Sequence, residues 1–261
     1  MGRIIAVSNQ KGGVGKTTTV VNLAAAFGSK GKKVLIVDFD PQGNTTTSYG
    51  ISKKSIRYTS YEVLIGDCKI YEAVVSTQFR GVSVIPATKN LAAAAVELID
   101  VKNRATCLKK QLSEIVGEYD YLLIDCPPTL DLITINALSA ADSVLIPIQC
   151  EFLSLEGLVE LSDTIKRVQK TANPNLTIEG ILFTMFVARY NLTAQVVDEV
   201  NKYFRKIVFD TVIPRNIALS EAPSFGSPAM YYDKKSKGAK AYDDLAKEIF
   251  KREKKLVKNT D

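Results

Sequence analysis

Residues 4–29 constrain the fold more than any other part of the chain. An unbroken apolar run, IIAVS (4–8), enters the glycine-rich turn NQKGGVGK (9–16) and leaves it as TTTVVNLAAAFGS (17–29), a stretch of helical character. Strand, glycine turn and helix in that order make a phosphate loop, because backbone N–H groups and a helix N-terminus converge on one anion. Gly12, Gly13 and Gly15 are expected to give the turn conformations that a Cβ would obstruct. In this reading the backbone from Gly12 through Val14 to Gly15, with Thr18, holds a nucleotide's phosphates. Lys16 contacts the β- and γ-phosphates, and the Thr17 hydroxyl ligates Mg²⁺. The usual spacing G-x-x-x-x-G-K-[ST] is not met, since its first glycine falls on Gln10. A second lysine, Lys11, stands near the front of the loop instead.

The same rhythm continues downstream. Further apolar runs are VLIVD (34–38), VSVIPA (82–87), YLLIDC (121–126), SVLIPIQ (143–149), IEGILFTMF (178–186) and VFDTVIP (208–214). Helical stretches are expected at 92–99, 106–116, 155–169 and 193–204. Strands that are continuously apolar, rather than alternating, belong in a parallel sheet covered on both faces. The expected fold is therefore α/β: a doubly wound, mostly parallel sheet flanked by helices, forming a single domain over 1–261. Ligands in such sheets bind beyond the carboxyl ends of the strands.

Two strand ends carry acids. VDFDPQGN (37–44) places Asp38 and Asp40 two residues apart, on one face of the chain, and LLIDCPP (122–128) ends in Asp125. Asp125 is expected to hold Mg²⁺ through water, with Asp38 beside it. The chain has no histidine, so imidazole chemistry is excluded and an aspartate must orient the attacking water. Asp40 is assigned that task because it lies furthest past its strand. The four cysteines, Cys68, Cys107, Cys126 and Cys150, form no C-x-x-C pair, which fits a reduced cytosolic protein rather than a zinc or iron–sulfur site. No N-K-x-D segment that would read guanine is present, which favours ATP.

These residues resemble the ParA/MinD group of P-loop ATPases, whose deviant Walker A loop is K-G-G-x-G-K-[ST]. Within it the chain is similar to the small partitioning proteins called ParA or Soj. The likeness runs through NQKGGVGKTT (9–18), VDFDPQGN (37–44), LLIDCPP (122–128), ITINAL (133–138), IPIQCEF (146–152), PRN (214–216) and LSEAPSFG (219–226). It implies that Lys11 is the family's signature lysine, reaching the nucleotide of a second subunit in an ATP-dependent homodimer. It also implies that Glu151 is an interface acid near the partner's lysine, and that Pro214 and Asn216 lie by the adenine. The expected partners are nonspecific double-stranded DNA and a ParB-type centromere-binding protein that stimulates hydrolysis. The expected location is the cytoplasm, on the nucleoid. Because the phosphate loop begins at residue 9, no N-terminal helix-turn-helix domain is expected.

Charge agrees with a polyanion partner. Residues 189–261 hold 15 Lys and Arg against 10 Asp and Glu, a net +5, while residues 1–188 carry only +1. The expected phosphate contacts are Arg189, Lys202, Arg205, Lys206, Lys234, Lys235, Lys237, Lys240 and Lys247. Ala218 departs from relatives that carry a basic residue there, which removes one such contact. The competing function is a MinD-like membrane-associated ATPase, which needs an apolar, lysine-flanked C-terminal helix. The tail offers Leu245, Ile249, Phe250, Leu256 and Val257 for that face, and the first two are expected to pack on the core instead.

Overall fold

The computed structural model describes residues 2–151 and 154–258, the side chains of 256–258 excepted. Seven strands are β1 (Arg3–Val7), β2 (Val34–Asp38), β3 (Val75–Ser76), β4 (Val82–Ile85), β5 (Tyr121–Asp125), β6 (Ser143–Gln149) and β7 (Thr177–Thr184). They lie in the order β3-β4-β2-β5-β1-β6-β7, and only the short edge strand β3 runs antiparallel. The helices are α1 (Lys16–Ser29), α2 (Asn44–Ser48), α3 (Ser60–Ile65), α4 (Leu91–Glu97), α5 (Cys107–Leu112) and α6 (Leu132–Ala140). They continue with α7 (Ser154–Thr171), α8 (Asn191–Phe204), α9 (Ile217–Glu221), α10 (Ala229–Tyr232) and α11 (Lys237–Lys258).

Strands β1, β2, β5 and β6 are buried along almost their whole length, as continuous apolar runs require when helices cover both faces. One core lies on each side. Leu35, Ile124 and Ile146 belong to the first, and Ile5, Leu123 and Leu145 to the second. Helix α11 closes the second core. Its Leu245 and Ile249 are fully buried, and Phe250 stacks on Phe27 of α1 with ring centroids 5.0 Å apart. Burying each of those aliphatic side chains is worth roughly 1.5–3 kcal/mol, so this part of α11 is held to the sheet. Leu256 and Val257, the rest of the expected tail face, lie outside the described side chains.

Two expectations need correcting, and one helix was not expected. Residues 208–214 are not a strand: only single bridges, Ile181 to Val208 and Phe186 to Pro214, touch the sheet edge. Between them the N–H groups of Asp210 and Thr211 donate to the Glu248 carboxylate on α11, each at 2.9 Å, while Phe209 and Ile213 donate to the carbonyls of Ile181 and Phe183, so a side chain interrupts the ladder. The expected helix over 106–116 stops at Leu112 and is followed by a separate 3₁₀ turn, Val116–Glu118. Helix α6 lay unmarked because LITINALSA has no polar face; Asp131 caps it by accepting from the N–H groups of Ile133 and Thr134.

Strand order fixes the site. β2, β5 and β1 are neighbours, and their register sets Asp38 opposite Asp125 and Asp125 opposite Val7. The two acids and the start of the glycine turn thus leave the sheet side by side.

Candidate functional site

Of the three loop glycines, two need to be glycine. Gly13 and Gly15 have φ of +73° and +90°, and Gly15 stands as the N-cap of α1 in the left-handed region. Gly12 has an ordinary φ, and a Cβ there would meet nothing within 4 Å, so its expected conformational role is not observed. The turn is held from below by side chains. Asn9 donates to the Pro147 carbonyl at 2.8 Å and accepts from the Lys11 N–H at 2.9 Å. Gln149 donates to the carbonyl of Gly13, and Thr184 to that of Val14. With those carbonyls tied back, the turn's N–H groups are free to face an anion.

The two lysines point to different places. Lys16 is 6% exposed, and its Nζ donates to the Lys11 carbonyl at 3.1 Å, inside the turn. Burial pulls its pKa down, offset by the nearby carboxylates of Asp125 and Asp40. Lys11 leaves the turn: its Nζ meets the Glu151 carboxylate at 2.5 Å. Glu151, expected beside the lysine of a second subunit, is here reached by the lysine of its own chain. Thr17 and Thr18 occupy the first turn of α1, half-buried.

Asp38 and Asp125 are both fully buried. Burial and the nearby Asp40 raise the Asp38 carboxyl to about 6, against the lowering effect of its backbone and hydroxyl donors. Burial and the charge of Asp38 push Asp125 up to about 8. Helix α2 touches both acids. The Thr45 hydroxyl donates to Asp125 Oδ2 at 2.8 Å, and Thr46 donates to Asp38 Oδ2 from its N–H at 2.8 Å and its hydroxyl at 2.6 Å. Asp40 is 7% exposed and accepts from the Gln42 N–H at 2.9 Å. Neither threonine was singled out from sequence, although both directly follow the DPQGN segment.

Asp125 Oδ1 is buried without a hydrogen-bond partner among the described residues, as are Ser8 Oγ, Gln10 Oε1 and Asn216 Oδ1 around the same site. Orphaned buried oxygens call for an occupant. An all-oxygen donor set of Thr17 and Asp125 beside a phosphate loop suits a hard divalent cation such as Mg²⁺. Next to the loop a cavity of about 410 Å³ is lined by Gly15, Thr18, Met185, Pro214, Asn216 and Tyr242. It brings Pro214 and Asn216 to the loop. Met185 on its wall has φ +50°, a left-handed backbone outside glycine that sequence could not have signalled.

The expected DNA contacts divide into two sets. Arg189, Arg205, Lys206, Lys234, Lys235, Lys237 and Lys240 are exposed, with no carboxylate within 4.0 Å among the described residues. Lys202 pairs with Glu199 at 2.6 Å, and Lys247 with both Asp243 and Asp244 at 2.8 Å. Ala218 is buried on α9.

A protein-family model described as an AAA domain matches residues 2–178. The sporulation initiation inhibitor protein Soj of Bacillus subtilis is 53% identical over 95% of this chain and 98% of its own. The chain belongs to the ParA/Soj family of partitioning ATPases. The chromosome partitioning protein ParA of Myxococcus xanthus is 52% identical over 97% of this chain and 89% of its own. A cobyrinic acid a,c-diamide synthase structure from Mycobacterium smegmatis, with bound ATP analogue and magnesium, matches with a TM-score of 0.83. It is 37% identical and covers 95% of this chain and 93% of that one. No described helix is long and apolar enough to cross a membrane.

Proposed function

We propose that the chain is a Mg²⁺-dependent ATPase that segregates DNA, switching between a free monomer and an ATP-bound dimer that holds duplex DNA without sequence preference. The observation that carries this reading is the divergence of the two lysines: Lys16 stays inside its own turn while Lys11 Nζ leaves it. In the dimer Lys11 would exchange Glu151 of its own chain for the nucleotide of the second subunit. Two triphosphates facing each other repel, and a lysine donated from each side offsets that repulsion. The present ion pair is no obstacle, since an exposed pair contributes about 0–1 kcal/mol.

Within each subunit the N–H groups of Gly13 and Gly15 and the Lys16 ammonium bind the β- and γ-phosphates, with Thr17 and Asp125 as the groups that hold Mg²⁺ and Asp38 alongside. Bound Mg²⁺ supplies charge neutralisation on those phosphates. The cavity at Pro214 and Asn216 takes the adenosine. Asp40 orients the attacking water from the loop beyond β2, and a ParB-type partner accelerates that step. The exposed basic set, Arg189, Arg205, Lys206, Lys234, Lys235, Lys237 and Lys240, contacts DNA phosphates. Lys202 and Lys247, already neutralised by neighbours, contribute little.

A MinD-like membrane role is less well supported, because Leu245, Ile249 and Phe250 face the core. A small-molecule amidation role is less well supported than partitioning on identity, 37% against 53%. Cosedimentation of the protein with nucleoid DNA, or with liposomes, under ATP and under ADP tests the reading. ATP-dependent recovery with DNA supports it, and recovery with liposomes alone overturns it.

A further inference from the structure

Helix α2 begins four residues after Asp40, and the proposed chemistry gives it no task. Its two consecutive threonines, Thr45 and Thr46, are both fully buried, and each donates to a different acid. Their surroundings differ. The Thr46 hydroxyl also accepts from the Ala87 N–H at 2.9 Å, so it completes the backbone of a neighbouring segment while it holds Asp38. The Thr45 hydroxyl has one hydrogen-bond partner among the described residues, Asp125 Oδ2. A valine of the same shape would fill that space without a polar group to satisfy. The hydroxyl therefore serves the carboxylate and nothing else.

Two further facts say what that service is. With Oδ2 held by Thr45, Oδ1 of Asp125, unpartnered among the described residues, is the oxygen left for another ligand. The chain between Asp40 and Thr45 is also closed on itself. Gly43 donates to the Asp40 carbonyl at 2.8 Å, and Gln42 donates to the Asp40 carboxylate. Gly43 caps α2 at φ +59°, where an added Cβ would meet the Ala87 carbonyl at 2.5 Å, so the turn has little freedom to rearrange.

We propose that Thr45 is a positioning residue: its hydroxyl sets the rotation of the Asp125 carboxylate and ties it to the loop that bears Asp40. The acid that serves the metal and the acid that serves the water are thereby kept in one fixed relation. This rests on the roles proposed above for Asp125 and Asp40.

The test compares Thr45→Val and Thr45→Ser with the unaltered protein, using a non-hydrolysable ATP analogue titrated with Mg²⁺ and, separately, ATP turnover. For Thr45→Val the Mg²⁺ midpoint of analogue binding is expected to rise about 10-fold or more, as for groups that orient metal ligands. Its kcat is expected to fall by about 10- to 100-fold, as misplacement on the scale of 1 Å does. Analogue binding without Mg²⁺ should stay unchanged, and Thr45→Ser should return both quantities to near the starting values. A valine variant with unaltered Mg²⁺ midpoint and kcat overturns the inference alone. So does a serine variant as impaired as valine, which would make the methyl group, not the hydroxyl, the important part. An unaltered protein whose analogue binding ignores Mg²⁺ overturns the proposed function as well.

Discussion

The carboxyl edge of β2, β5 and β1 and the basic flank of 189–240 are built in opposite ways. At the edge, Asp38, Asp40, Asp125, Lys16, Thr45 and Thr46 are all buried, and their hydrogen bonds fix distances between them. The basic side chains stand in solvent, seven of the nine expected contacts having no carboxylate within 4.0 Å among the described residues. Catalysis on a phosphate needs geometry, which a buried network supplies. Attraction to a uniform polyanion needs only positive field, which any nearby lysine supplies. One lysine on the flank can therefore stand in for another, whereas no residue at the edge has an evident substitute.

The largest expected effect sharpens that contrast at the edge. Lys16→Ala should lower kcat/KM for ATP by about 100- to 1,000-fold, as removal of one preorganised donor does. Steady-state phosphate release measures it, and a loss under tenfold would mean that Lys11 or another group shares the task.

The next prediction probes whether the flank works by field alone. Lys237→Ala combined with Lys240→Ala should lower the log–log salt slope of DNA binding by about 1.8, at about 0.9 for each phosphate contact in B-DNA. Lys247→Ala should leave the slope unchanged, because Asp243 and Asp244 already neutralise it. If Lys247→Ala changes the slope as much as the pair does, ion pairing on α11 does not sort the contacts.

A smaller effect tests the strain held at the edge. Asp125 has its pKa raised to about 8 in the folded chain, above the ordinary aspartate value of 3.8. A carboxyl raised in this way favours the folded state when protonated, so the nucleotide-free protein loses stability as pH climbs from about 4 through about 8. Asp125→Asn should weaken that dependence, leaving the part that Asp38, raised to about 6, contributes. Its melting temperature at pH 8 should exceed that of the unaltered protein by a few degrees, at about 2–4 °C per kcal/mol, with no gain at pH 4. An equal gain at both pH values would point to packing instead of charge.

What could be read from sequence follows the same division. The phosphate loop, the two strand-end acids and the parallel core were legible because each is local: glycines, a lysine and an acid at the end of an apolar run. Non-local features were not. Residues 208–214 read as a strand, yet the carboxylate of Glu248, 37 residues from Thr211 in sequence, takes the N–H groups of Asp210 and Thr211 and interrupts the pairing. Helix α6 has no polar stripe because it is buried between the sheet and its neighbours, so periodicity could not mark it. Thr45 and Thr46 stood next to a recognisable motif, but their importance depends on Asp125, which lies 80 residues from Thr45 in sequence. The pairing of Lys247 was visible as an i, i+3 and i, i+4 pattern with Asp244 and Asp243.

The central claim is that nucleotide state at the edge controls DNA affinity on the flank. The direct measurement is binding of random-sequence duplex DNA, at low and moderate salt, with ATP, ADP or no nucleotide, for the unaltered protein and for Asp40→Ala. The account predicts salt-sensitive binding that requires ATP. It should be strongest in Asp40→Ala, which keeps nucleotide affinity while hydrolysis falls by about 100-fold or more. Equal binding with ATP, ADP and no nucleotide would contradict it, because the two regions would then be independent.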